Sequence, residues 1–250
     1  MKSTGFITAI LPAFLIITGC SNNDSTTEKL NKAVNQAKHG NWQSAAATAE
    51  ELSTAHPQAV SPMILRALAY EKSGELAKAI DLARKCVNAA PKDFTAHYTL
   101  GRLYSLDPKR QADAFAVLEK ALTLKPEDTD TLILLSTIGI KRNEPNTDQY
   151  LNLLKHKPEF DRSAPLYYML GLRQAEKRNF DASKRFMMDA LSKCGGAKDP
   201  SLVYRIALCF DRCKFPAAEV KKFYNLFIRM NGVYKNPADV ASARQRLRQL

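Results

Sequence analysis

From about Thr26 onward, apolar residues recur every three or four positions in stretches of roughly a dozen residues, separated by short polar breaks. This spacing predicts a succession of amphipathic helices. Pro57, Pro91 and Pro126 lie 34 and 35 residues apart, and each follows such a stretch, as a helix-ending proline does. Between them the chain reads as helix, short turn, helix, and a fixed period of this length is the mark of stacked structural repeats. The N-terminus breaks the pattern, with a continuous apolar run from Phe6 to Ile17 interrupted only by Thr8 and Pro12.

The repeat is clearest between Val60 and Pro91. Ala67 and Ala79 stand where paired helices must approach closely, Tyr70 lies on the first helix and Gly74 supplies the turn. Leu76, Ala79, Ala83 and Cys86 mark the buried face of the second helix. This arrangement resembles the tetratricopeptide repeat. Leu100-Gly101, Tyr104, Ala114, Leu118 and Ala121 carry it in the next repeat, with one extra residue around Asp107-Pro108. Tyr167, Leu170-Gly171, Ser183, Met187 and Ala190 carry it further on. The first repeat has Ala33, Gly40, Trp42 and Ala45. The fourth has a broken turn at Asn143-Glu144-Pro145-Asn146 and a short second helix, and the sixth, from Pro200, has Ala207 and Phe210 but weak motifs beyond. The resemblance implies an all-α fold: a right-handed superhelical solenoid of about six helical hairpins over residues 28–232. A C-terminal capping helix follows at 236–250, opened by Asn236 as N-cap with Pro237 at its first position.

Lys2, the apolar run and Ile17-Thr18-Gly19-Cys20 read together as a targeting segment, residues 1–19, to be kept apart from the fold. The run is too short to cross a hydrocarbon core of about 30 Å as a helix. Its end is similar to the lipobox of bacterial lipoproteins, which implies diacylglycerol on the Cys20 thiol, cleavage before Cys20 and acylation (palmitate) of the new amino group. Residues 20–27 then serve as a polar tether. By the family's sorting rule, Ser21 points to the outer membrane, facing the periplasm.

Charge and chemistry add less. The formal net charge of +12 favours acidic partners. The excess is greatest from Lys214 to Leu250, where Glu219 and Asp239 face Lys214, Lys221, Lys222, Arg229, Lys235, Arg244, Arg246 and Arg248. A solvated basic face and a contact with anionic lipid or polysaccharide both fit this stretch. Export removes the chain from cytoplasmic nucleic acid, so no nucleic-acid partner is expected. His39, His56, His97 and His156 stand alone, and no nucleotide, zinc or nucleophile motif occurs; no catalytic residue, cofactor or metal is expected. Cys86 reads as a core residue. Cys209 and Cys213 share one helical face, and a disulfide among Cys194, Cys209 and Cys213 stands open beside simple packing of small side chains.

The resemblance also implies a binding groove lined by fixed positions of each first helix. Carried over, these are Leu30 and Val34, Ile64 and Leu68, Tyr98 and Arg102, Ile133 and Thr137, Tyr168 and Leu172, and Tyr204 and Leu208. The family's carboxylate clamp needs Lys and Asn there, so an apolar or aromatic segment is the expected occupant. The whole implies a non-catalytic, membrane-tethered adaptor that binds other envelope proteins or peptides, in assembly or secretion.

Overall fold

The computed structural model of the chain describes residues 24–160, 163–194, 199–230 and 236–250. Cys20 and the expected signal peptide lie outside them, as do Lys235 and residues 20–23 of the expected tether. Among the described residues every regular element is helical. Two compact units divide at Leu134 and Leu135, inside the seventh helix.

The first unit holds α1 (Asp24–Lys38) and α2 (Trp42–Ala55), α3 (Val60–Lys72) and α4 (Leu76–Ala89), α5 (Phe94–Ser105) and α6 (Gln111–Leu124), and the start of α7 (Thr129–Arg142). The second holds the rest of α7, then α8 (Thr147–Lys155), α9 (Ala164–Glu176), α10 (Phe180–Lys193), α11 (Pro200–Arg212), α12 (Ala217–Arg229) and α13 (Pro237–Gln249). Helix α1 begins within the stretch read as tether, because Thr26 is buried and its hydroxyl lies 3.4 Å from His56 Nε2 in the α2–α3 turn.

The turns explain the hairpins. Residues Gly40, Gly74, Asn143, Arg178 and Lys214 all have positive φ. Each follows a first helix and makes the same pair of bonds: Gly74 N–H donates to Glu71 C=O (3.0 Å) and Glu75 N–H to Tyr70 C=O (2.8 Å). At the last turn Lys214 N–H donates to Asp211 C=O (3.1 Å) and Phe215 N–H to Phe210 C=O (2.9 Å). This is the Schellman closure, which uses up the carbonyls a helix end leaves over. The broken-looking turn at Asn143 closes the same way, although the helix after it has only 9 residues. The α5–α6 turn differs because Pro108 starts a short 3-10 segment, Pro108–Arg110, that absorbs the extra residue.

Second helices stop two residues before Pro57, Pro91 and Pro126, since a residue preceding proline is pushed out of the helical region. Their end caps His56, Ala90 and Lys125 adopt nearly one conformation, with φ −132, −136 and −143°. Helices α5, α9 and α11 are opened by Asp93, Ser163 and Asp199, whose side chains accept from Ala96, Leu166 and Leu202 N–H. Asn236 caps α13 with Pro237 in its first turn, accepting from Ala238 N–H at 3.2 Å.

Close packing runs through small side chains. Ala67, Ala79 and Ala83 are fully buried between α3 and α4. A Cβ on Gly101 would lie 2.6 Å from Leu118 Cγ. Ser183 Oγ donates to Gly171 C=O at 2.8 Å, joining α10 to α9. The motif-poor sixth hairpin is held instead by aromatics: Phe210 stacks on Phe215 (centroids 4.0 Å) and meets Phe223 edge-on (5.1 Å).

Two substitutions should move stability in opposite directions in urea titrations followed by circular dichroism. Gly101→Ala forces buried Leu118 aside and should cost about 1–3 kcal/mol. Lys214→Gly relieves a left-handed lysine (φ 58°) and should gain about 0.5–1 kcal/mol.

Candidate interaction surface

The first helices were expected to present a groove, and the structure sorts the expected residues into two groups. In the first unit Leu30, Ile64, Leu68, Tyr98 and Arg102 are buried, while Val34 and Ile133 are half-buried. In the second unit Tyr168 and Tyr204 are buried, Thr137 and Leu172 are half-buried, and Leu208 is 44% exposed. The three tyrosines expected in the groove are largely covered by the side chains around them. Tyr98 stacks on Phe94 (centroids 5.8 Å), and Tyr204 stacks on Phe227 (4.5 Å). The guanidinium of Arg205 lies 4.3 Å above the Tyr168 ring. Burial, before any charge nearby, raises the pKa of all three phenols above the ordinary value, so they stay neutral.

Arg102 is covered as well. Rather than facing a partner, it forks onto Glu71 of the preceding first helix, with Nη1 donating to Oε1 at 2.9 Å and Nη2 to Oε2. Burial works against the Arg102 charge, and the Glu71 carboxylate more than offsets it, leaving the guanidinium above its ordinary value.

The same device recurs in the second unit. Arg212 Nη2 donates to Glu176 Oε1 at 3.1 Å, from α11 to α9. Arg246 donates to Asp211 through Nε (2.7 Å) and Nη2 (2.8 Å), from α13 to α11, and the Tyr224 hydroxyl donates to the same carboxylate at 3.1 Å. The Arg246 bonds hold the Asp211 carboxyl below its ordinary range. Arg173, also buried, donates to Asp148 (3.0 Å) and to Asn143 Oδ1 (2.7 Å). This set of arginine–carboxylate rungs was missed in the sequence. Its signal was present: acid and arginine sit 31, 36 and 35 residues apart, close to one repeat.

The remaining candidates are locally engaged. His97 Nε2 donates to Pro91 C=O (2.9 Å), and His39 and His156 donate through Nδ1 to the carbonyls of Asn35 and Asn152. Cys86 is buried, and desolvation pushes its thiol up to about 12. Cys194, Cys209 and Cys213 are free thiols in this structure. Cys194 caps the end of α10, beside the start of α11, whereas Cys213 caps the far end of α11. Cys209 and Cys213, one turn apart at the end of α11, bring their thiols close to each other. No group of three or more His, Cys, Asp or Glu among the described residues could hold a metal ion.

Comparison with known proteins bears on the fold. A family model described as a tetratricopeptide repeat matches residues 61–93. A comparison with curated proteins finds no match. Among solved structures, the chain is similar to PilW, a type IV pilus biogenesis factor: 17% identity, TM-score 0.68, covering 88% of this chain and 98% of that one. It is similar to Pseudomonas aeruginosa PilF, with 13% identity, TM-score 0.66 and coverage of 89% and 98%. It is also similar to YrrB, a repeat protein with an unusual peptide-binding site: 19% identity, TM-score 0.56 and coverage of 69% and 88%.

Arg102→Met should destabilise the fold by about 3 kcal/mol, because Glu71 is left charged and largely buried without its partner. Adding Glu71→Leu should recover most of the loss. Urea denaturation of wild type, both single variants and the pair measures the coupling; independent, additive effects would remove the pair's structural role.

Residues 61–93 match a tetratricopeptide repeat, and the hairpins on either side, built on the same turns and small-residue contacts, give the chain the fold of tetratricopeptide-repeat proteins.

Proposed function

We propose that the chain is a non-catalytic adaptor, tethered through lipidated Cys20 to the bacterial cell envelope, that binds a segment of another protein on the first-helix face of α9 and α11. The observation that carries the reading is Leu208. It is a large apolar side chain, 44% exposed, on a helix whose other large apolar residues are buried. Leu172 stands at the matching position of α9, half-buried, with half-buried Met169 one turn before it. Buried Tyr168 and Tyr204 form the floor of this face, and Arg205 and Arg212 edge it with positive charge. Its preferred occupant is an apolar segment, with burial supplying affinity and the arginines favouring an acidic neighbour residue. In the first unit Ile64, Leu68, Tyr98 and Arg102 build the corresponding floor, and Ile133 remains partly open.

The fold supports an interaction scaffold. The likeness to the type IV pilus biogenesis factor PilW supports a role in assembling envelope structures, and the lipobox-like Ile17-Thr18-Gly19-Cys20 supports tethering, with the outer membrane favoured by Ser21. The described histidines are held by backbone carbonyls or by Thr26, and the buried Cys86 and Cys209 thiols are pushed up to about 12, which suits a protein without a nucleophile or general base.

A photo-crosslinking residue placed at position 208 of the full chain in its native envelope should capture a discrete protein adduct. The same residue at Met188, equally exposed at 46% on α10, should not. Leu172→Glu should abolish the adduct from position 208 while helicity is kept. Equal capture from both positions, or capture indifferent to Leu172→Glu, removes the site. Labelled palmitate should enter the protein and be lost with Cys20→Ser.

A further inference from the structure

The first-helix face leaves the basic C-terminal end unexplained, and the structure now shows how its charges are used. Arg246 is committed to Asp211. The two acids of the stretch are also engaged: Glu219 accepts from Lys184 at 2.5 Å across α10 and α12, and Asp239 accepts from Asn236 at 2.8 Å. Lys214, Lys221, Lys222, Arg229, Arg244 and Arg248 are all exposed and form no ion pair among the described residues. Five of them stand on α12 and α13, which pack on each other through Val220, Phe223, Tyr224, Phe227, Val240 and Ala243. Lys214 adds a second observation: it keeps a cation at a turn position where φ is 58° and glycine would be unstrained, as it is at Gly40 and Gly74.

We propose that the solvent side of α12 and α13, with Lys214, is a docking surface for anionic phospholipid headgroups. The partner chemistry follows from what the surface has and lacks. It carries cations of one sign spread over two helices, with no exposed large apolar side chain among them to anchor a protein hot spot. Such a surface gains from a dense sheet of negative charge without needing defined geometry. The proposal does not depend on the α9–α11 face, so either can fail alone.

The test uses the full chain carrying Cys20→Ser, which has no acylation site. The protein is shared between vesicles of neutral phosphatidylcholine and vesicles containing about 30% phosphatidylglycerol, mixed at equal lipid. The expected result is a preference on the order of 10,000-fold for the anionic vesicles, falling steeply as salt rises from about 0.05 to 0.5 M. Replacing the six cations by Gln should bring the preference near parity, and each single replacement should lower it about five-fold, with unchanged circular dichroism. The control replaces six exposed lysines of the first unit, Lys29, Lys32, Lys38, Lys85, Lys92 and Lys120, by Gln. A control that loses as much as the test variant shows that net charge alone acts, and overturns the proposal. So does a wild-type protein with no preference, or a six-cation variant that keeps it.

Discussion

Two helices can touch along their length only where no bulky side chain stands between their backbones, and a chain of hairpins needs that condition met again in every repeat. Here it is met at Ala67 against α4, at Gly101 against Leu118, and at Gly171 against Met187, where an added Cβ would lie 2.9 Å from the methionine side chain. The turn is set by the same logic. A helix that must reverse within three or four residues ends in a left-handed residue whose two bonds close its last carbonyls, and Gly40, Gly74, Asn143, Arg178 and Lys214 all do so. Once both conditions hold, the remaining side chains of a hairpin are free to vary. That is why the sixth hairpin can replace small-residue contacts with the Phe210, Phe215 and Phe223 cluster and keep its architecture.

Burial on the first-helix face has a mechanical meaning. Side chains expected to meet a partner are largely engaged with the neighbouring hairpin, apolar ones by packing and Arg102 by pairing with Glu71. What stays accessible is narrow: Leu208, part of Leu172, and the charged groups beside them. A surface of this kind selects by a small apolar patch in a polar frame, and the frame also stiffens the helices that carry the patch.

Much of this was readable in the residues. Periodic prolines and small side chains marked the hairpins because helix ending and close approach admit few residue types. Asn236-Pro237 announced α13 for the same reason. The Arg178 and Lys214 turns were not readable, since a cationic residue with positive φ looks like any surface lysine or arginine until the two backbone bonds are seen. The covering of the tyrosines was not readable for another reason. Position in the repeat tells which way a side chain leaves its helix but not how closely the next hairpin follows, and at Tyr98, Tyr168 and Tyr204 it follows closely enough to cover the ring. The arginine rungs escaped notice because charged residues are normally assigned to solvent, and only their separation by one repeat set them apart.

Those rungs limit how such a gene can change. An array joined only through apolar contacts can lose or copy one repeat and offer each new neighbour an equivalent surface. In this protein Glu71 needs the arginine at position 102, and Asp211 needs the one at 246. Excising the α5–α6 hairpin would leave Glu71 beside a helix with no matching cation, so the order of the hairpins is written into the charges that join them.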